Sequence, residues 1–150
     1  MGINYTDEIV LYNRYYSDSL EEEYFFGTEL KNVRCELTEG ANISNSGLND
    51  ASRIVVKIPN DDLPKPYLAP MKWRKLPMDE MTDSFTFDKD NKDFLVVKKK
   101  DGLNIDEELP TGKIDQEDFF NYMKRNYGYC YLIHTVDFYK LIPRFEIGGR

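Results

Sequence analysis

The most reactive side chains in this sequence are one histidine and two cysteines, and they are well separated along the chain. His134 lies in the middle of the apolar run Tyr129–Ile142, whereas Cys35 and Cys130 lie in separate strand-like runs. A lone histidine in such a run is more often a hydrogen-bonded core residue than a catalyst, and no particular serine, aspartate or cysteine can be nominated as its partner. One histidine and two distant cysteines also do not supply a zinc site of the usual kind. We interpret both cysteines as buried free thiols, with a disulfide as the alternative.

The carboxylates form clusters, but no cluster has the pattern of a metal site or a catalytic pair. The stretch that begins at Asp88 resembles a calcium-binding loop, yet its sixth position is Asp93 instead of Gly and its twelfth is Lys99 instead of Glu. We therefore interpret Asp88–Lys92 as a solvated polar turn. Glu21–Glu23 and Asp106–Glu108 are acidic runs typical of solvated loops, with no apolar pocket that would raise a pKa. The sequence contains no Gly-rich phosphate loop. These observations predict a protein that is not an enzyme and that needs no metal or cofactor.

Composition and charge indicate a single folded domain that does not grip nucleic acid. The 150 residues are 41% hydrophobic and 14% aromatic, which is enough for one core. The net charge is −7, and residues 1–50 carry 3 basic and 10 acidic side chains. Such a chain has no electrostatic footprint for wrapping duplex phosphates. The absence of a long apolar run and of a signal-peptide pattern predicts a cytoplasmic protein without a membrane span.

The run Tyr129–Ile142 is the element around which the rest of the chain is arranged. It is rich in aromatic and β-branched residues and is bounded by Gly128 and Pro143, which favours a strand, or two strands that meet at a bulge. A period of two predicts one face with Leu132, His134, Val136 and Phe138, and another with Tyr131, Ile133, Thr135 and Asp137. After Pro143, the residues 144–147 offer a short return strand.

Alternating apolar residues predict further strands upstream of this run. These strands are Glu8–Tyr16, Tyr24–Leu30, Val33–Glu39, Arg53–Ile58, Ser84–Phe87 and Asp93–Lys99, with a tight turn at Lys31-Asn32. The predicted core consists of their inward-facing residues, Ile9, Leu11, Val33, Cys35, Leu37, Ile54, Val56, Leu132, Val136 and Phe138. We therefore expect a mainly β fold over residues 1–150, a small antiparallel β-barrel or sandwich with one α-helix inserted before the C-terminal strands.

The inserted helix is predicted over Gln116–Asn126. Asp115 is the expected N-cap, and Gly128 the expected end. The spacing of three apolar residues predicts the face that packs on the sheet: Phe119, Tyr122 and Met123.

Two segments without periodicity are the expected docking surfaces. Residues 40–52 predict a mobile polar loop, and residues 59–77 contain five prolines and predict an extended crossing over the surface. The predicted partner-docking residues are Ser44, Asn45, Leu48, Leu63, Tyr67, Leu68, Met71 and Trp73. Trp73 has two interpretations, as a residue that covers the core from outside or as an exposed anchor for a partner.

Four segments together resemble a family of small structural proteins of tailed phages and prophages. The segments are EIVLYNRYY from Glu8, RIVVKIP from Arg53, YLAPMKW from Tyr67 and FEIGGR from Phe145. The family is similar to the head-closure (stopper) or head–tail joining proteins of the virion neck. The resemblance implies a small β-barrel that assembles into a homo-oligomeric ring.

Within a virion, that ring would contact portal-side or adaptor-side proteins on one face and tail-side proteins on the other. DNA would pass through it without specific binding, no membrane would be involved, and assembly would take place in the cytoplasm of the host bacterium. The alternatives are a tail-completion or capsid-associated protein, or a small cytoplasmic enzyme or regulator with its site near Trp73.

Overall fold

The computed structural model of the chain describes residues 5–38 and 53–150, and its architecture is mainly β. Within these ranges the strands are β1 (Asp7–Ser17), β2 (Glu22–Thr38), β3 (Arg53–Pro59), β4 (Phe94–Lys100), β5 (Leu103–Asn104), β6 (Gly112–Ile114), β7 (Cys130–Tyr139) and β8 (Arg144–Gly149). The helices are α1 (Pro70–Arg74) and α2 (Phe119–Tyr127), with short 3-10 helices at Asn60–Asp62 and Met78–Asp83.

The strands form one antiparallel sheet that closes on itself. The order of neighbours is β1-β2-β3-β8-β7-β4-β5, and β4 also pairs with β1. Closure therefore involves β1, β2, β3, β8, β7 and β4, while β6 pairs with β2 outside that path. The arrangement is ring-like but is not a regular barrel. The prediction of a mainly antiparallel β fold with one helix before the C-terminal strands is confirmed.

The predicted turn at Lys31-Asn32 is wrong, because β2 runs through it as one strand. Asn32 has a φ of +59°, which asparagine tolerates better than most residues, and the pairing with β1 shifts register next to it. This kink changes the direction of the strand without reversing it. The first part of β2 pairs with β1, and the part from Arg34 to Thr38 pairs with β3.

The predicted faces of the C-terminal run are wrong because β7 contains an irregularity at His134. The pairing with β8 shifts between Ile133 and Thr135. Tyr131 and Ile133 are buried in the core before this point, and Val136 packs against the same core after it. A bulge exchanges the two faces of a strand in this way. The alternative of two strands that meet at a bulge describes β7 better than the single alternation.

The predicted core is largely correct. Six of its ten residues are fully buried, namely Ile9, Leu11, Val33, Cys35, Ile54 and Val56. Leu37, Leu132 and Val136 are half-buried, and Phe138 is exposed, although its ring packs on that of Phe145. Cys35 and Cys130 are buried free thiols, as predicted, and burial raises the pKa of each to about 12. Neither is therefore a reactive thiolate near neutral pH.

Helix α2 is shorter than predicted and has a different N-cap. Its N-cap is Asp118, which has a φ of +56° and makes no side-chain capping bond, so the prediction that Asp115 caps the helix is wrong. Phe119 and Met123 are buried as expected, whereas Tyr122 is exposed. The helix ends at Gly128, as predicted, with a φ of +81° and a hydrogen bond from its N–H to the Lys124 carbonyl at 2.9 Å.

The segment 59–77 is less extended than predicted, because 3-10 turns and α1 form within and just after it. The strand predicted at Ser84–Phe87 is reduced to one bridge, in which Phe85 pairs in parallel with Tyr67. The rings of Tyr67, Phe85, Phe87 and Phe145 pack against one another under this segment. The Pro-rich segment is therefore attached to the core by these aromatic contacts and by two backbone hydrogen bonds, from the N–H of Leu68 to the Phe85 carbonyl at 2.9 Å and from the N–H of Phe85 to the Pro66 carbonyl at 3.1 Å.

Candidate functional site

The connection between β7 and β8 presents the most exposed large apolar side chains of the described residues. We call residues 138–144 the apolar hairpin. Leu141 is 98% exposed and Ile142 68%, and both lie in the turn between the strands. The rings of Phe138 and Tyr139 are also exposed. Apolar residues gathered at one protruding turn are typical of an interaction surface, unlike single exposed residues scattered over a protein.

The base of the apolar hairpin is held firmly. The N–H of Asn60 donates to the carbonyl of Pro143 at 3.1 Å, which connects the hairpin to the end of β3. The guanidinium of Arg144 lies 5.2 Å from the centre of the Tyr139 ring and pairs with Glu146 at 2.8 Å. The exposed side chains therefore project from an anchored turn, and ordering them on a partner costs little chain entropy.

The connection between β1 and β2 is negatively charged. We call residues 16–23 the acidic hairpin, which contains four carboxylates, Asp18, Glu21, Glu22 and Glu23. Beside it lies a cleft of about 370 Å³ lined by Arg14, Tyr16, Glu21, Glu22, Glu23, Asp115 and Glu117. The one base in that lining, Arg14, is already paired with Glu23. The cleft is therefore a negatively charged surface.

The acidic hairpin also presents apolar surface. Tyr16 is 44% exposed and Leu20 56%. The Ser17 hydroxyl accepts a hydrogen bond from the N–H of Leu20 at 3.3 Å, and Glu21 takes a positive φ of +53° that closes the turn. Like the apolar hairpin, this turn is held by a hydrogen bond to its backbone. It presents exposed hydrophobic side chains next to negative charge.

The predicted solvated turn at Asp88–Lys92 has buried ends. Asp88 is 4% exposed and Asp93 is 1% exposed. The side chain of Asn13 donates to the Asp93 carboxylate at 2.8 Å, and the N–H groups of Arg14 and Asp88 donate to it at 2.8 Å and 3.1 Å. Burial is the main cause that raises the pKa of Asp93, to about 8. Sequence pattern did not reveal this network, because acidic residues in a charged turn are ordinarily solvated.

Asp88 connects the same network to the Pro-rich segment. Its carboxylate pairs with the guanidinium of Arg74 at the end of α1, and it also accepts from the N–H of Asp90 at 3.0 Å. With its partners on β1 and α1, the network is positioned to hold elements together. Its polar atoms are used by one another and not presented to a ligand.

The predicted docking residues have different environments. Ser44, Asn45 and Leu48, with the loop 40–52, lie outside the described residues. Leu63, Tyr67 and Leu68 are half-buried, Met71 is 61% exposed, and Trp73 is 1% exposed. Trp73 packs with Tyr24, Phe26 and Met81, so within this chain it covers the core. The two hairpins were not predicted as docking surfaces. The sequence did contain a pattern for each, namely the apolar pair Leu141-Ile142 beside Lys140 and the acidic run that begins at Glu21.

His134 is exposed, so its expected place in the core is wrong. Its Nε2 accepts a hydrogen bond from Nε of Arg150 at 2.9 Å. The pair lies at a cleft of about 400 Å³ lined by Arg53, Ile54, Val55, His134, Thr135, Gly148, Gly149 and Arg150. The lining contains two arginines, Arg53 and Arg150, and no acidic side chain.

Comparison with known proteins gives one match. A model described as a family of unknown function (DUF6751) matches residues 4–150. The chain belongs to that family. No curated protein and no solved structure matches the chain.

Residues 5–38 and 53–150 contain neither a metal cluster nor a membrane-spanning helix. No group of three or more His, Cys, Asp or Glu side chains there is arranged to hold a metal ion. No helix there is long and apolar enough to cross a membrane.

Proposed function

We propose that this protein is a structural component of the neck of a tailed-phage virion. In this proposal it is a head-closure or head–tail connector protein that forms a ring between portal and tail, has no catalytic role, and lets DNA pass without specific binding. The support from sequence is the resemblance of the four segments, from EIVLYNRYY to FEIGGR. The net charge of −7 is also suited to a channel that must not hold phosphates.

The observation that carries the proposal is the apolar hairpin. Burying a leucine or isoleucine side chain against a partner contributes about 1.5–3 kcal/mol, and Leu141 and Ile142 are both available for that contact. A chain that acts alone gains nothing from placing them in solvent. An assembly protein uses such residues to hold its neighbours.

In this proposal the docking surface is the apolar hairpin and not Trp73. Trp73 is 1% exposed and belongs to the core, so it is not available to a partner. Met71 is the exposed apolar residue of α1 and offers a smaller contact. Ser44, Asn45 and Leu48 remain predicted docking residues on the loop 40–52.

The test is the composition of purified particles from a strain that carries the gene in a prophage or phage genome. Quantitative mass spectrometry should find the chain at a small, fixed copy number relative to the major capsid protein. A gene replacement with Leu141→Asp should leave the protein folded in the lysate and remove it from particles, while Leu141→Met should be incorporated normally. Particles that are complete and infectious without the chain would contradict the proposal.

The cleft at His134 favours a second function, a small cytoplasmic regulator that binds an anionic ligand. Arg53, Arg150 and Thr135 would supply the donors in that case. Its test is a thermal shift of the purified protein with small carboxylates and phosphates. A shift that Arg53→Gln removes, combined with absence from particles, would favour the regulator.

A further inference from the structure

We infer that the apolar hairpin of one copy docks on the acidic hairpin of a neighbouring copy. The inference rests on the proposed ring and names the two surfaces that form its repeated contact. It commits to a second copy of this chain as the partner of residues 138–144, with residues 16–23 and the cleft beside them as the receiving surface.

The positions of the hairpins in the sheet fit such a contact. β1 and β7 are each antiparallel to β4, so they run in the same direction. The turns that follow them, at Asp18–Glu21 and Lys140–Pro143, therefore lie at the same end of the sheet.

Around the closed sheet the two hairpins lie on opposite sides. The pair β1–β2 is separated from the pair β7–β8 by β3 in one direction and by β4 in the other. The two hairpins are different surfaces on opposite sides of one molecule, at the same end of the sheet. A contact between the apolar hairpin of one copy and the acidic hairpin of the next is therefore heterologous. Repeating that contact closes a ring when the rotation between copies allows it.

The charges of the two hairpins are complementary. Lys140 lies at the exposed tip of the apolar hairpin with no carboxylate between it and Arg144, whereas Arg144 at the base is already paired with Glu146. On the other hairpin, Glu21 and Glu22 are exposed and line the acidic cleft. Opposite potentials on two docking surfaces guide the encounter and set the orientation of the partners.

Apolar residues lie beside the charges on both sides. Leu141 and Ile142 are exposed on one hairpin, and Tyr16 and Leu20 are exposed on the other. Contact between these pairs gives an apolar centre with a charged rim, which is the usual arrangement of a protein interface. One such contact is small, so it is weak alone and gains strength when each copy uses both hairpins in a closed ring.

The test is a charge exchange in the purified full-length protein, followed by sedimentation velocity over a range of concentrations. The variants are Lys140→Glu and Glu21→Lys, since neither side chain has an ion-pair partner among the described residues. Each variant alone should weaken self-association by about tenfold or more. An equimolar mixture should restore it, because the two exchanged positions then face each other with opposite charges while the reciprocal contact stays native.

Controls separate the contact from general effects of charge and folding. Lys99→Glu makes the same charge change on an exposed residue at the end of β4 that lies away from both hairpins. It should leave self-association unchanged. Leu141→Asp should abolish self-association with an unchanged melting temperature, because that side chain is 98% exposed.

Three results would overturn the inference. They are a wild-type chain that stays monomeric at every concentration, variants that associate like the wild type, and a mixture that does not recover. Binding of a monomeric chain to anionic lipid vesicles, lost with Leu141→Asp, would assign the apolar hairpin to a membrane surface instead. Presence of the chain in particles is measured separately, so a failed exchange with the chain still in particles would reject this contact and keep the neck function.

Discussion

At the scale of single residues, Asp93 shows how burial changes the behaviour of a carboxyl group. Its pKa is raised to about 8 by burial, with a further contribution from the Asp88 carboxylate, although three N–H donors act in the opposite direction. In an unfolded chain the pKa of an aspartate is about 3.9. Between these two values the folded protein keeps a proton that the unfolded chain has lost. The free energy of unfolding attributable to Asp93 therefore falls as pH rises from about 4 to 8.

Asp93→Asn tests that sign. The amide cannot accept from all three donors, so we expect a loss of about 1–3 kcal/mol at pH 5. Because the variant has no proton to lose, its disadvantage relative to the wild type should shrink from pH 5 to pH 8. Urea denaturation at several pH values measures this difference, with Asp90→Asn, an exposed neighbour, as the control. A disadvantage that grows with pH would mean that the carboxylate is charged in the folded protein.

Trp73 gives a second prediction at this scale. Trp73→Ala should cost about 3–5 kcal/mol by leaving a cavity against Phe26 and Met81. Trp73→Phe keeps part of that contact and removes an indole N–H that has no acceptor among the described residues, so it should cost less than half as much. Thermal denaturation of the two variants compares them. Equal losses would show that the ring contacts contribute little.

At the scale of elements, the sequence predicted strands well and their junctions poorly. Apolar patterning located β1, β3 and β4 within two residues: β3 alternates as a half-buried strand does, whereas β1 and β4 each contain a run that is buried on both faces. Lys31-Asn32 looked like a turn, since asparagine favours turns and kinks alike. The bulge at His134 depends on the pairing of β7 with β8, which local sequence does not contain. The acidic hairpin was predicted as a loop, but its charge relation to residues 138–144 needs the fold.

The ends of α2 give a prediction for an element. Gly128 has a φ of +81°, and an added Cβ would meet no atom within 4 Å, so the cost of Gly128→Ala is purely a backbone cost. We expect it to lower the free energy of unfolding by about 1–2 kcal/mol. Asp115→Ala should change it by less than about 0.5 kcal/mol, because Asp115 is not the cap. A larger loss for Asp115→Ala than for Gly128→Ala would contradict this description of the helix.

At the scale of the whole molecule, we expect stability and assembly to depend on different residues of the closed sheet. The core is built from Ile9, Leu11, Val56 and their neighbours, and Val56→Asp should cost about 3 kcal/mol or more by placing an unpaired charge there. Circular dichroism during urea titration measures that loss. The hairpins project from the ends of strands that this core fixes. Changes at Leu141 should therefore alter contacts between molecules while the free energy of unfolding stays the same.

The most direct measurement is a photo-cross-link from position 141 in assembled protein. A photoreactive phenylalanine replaces Leu141, the sample is irradiated, and the cross-linked peptides are identified by mass spectrometry, with the same probe at Lys99 as the control. The predicted result is a covalent link from position 141 to residues 16–23 of a second copy, and no such link from position 99. Recovery of position 141 without any link to another copy of the chain would contradict the assembly proposed for this protein.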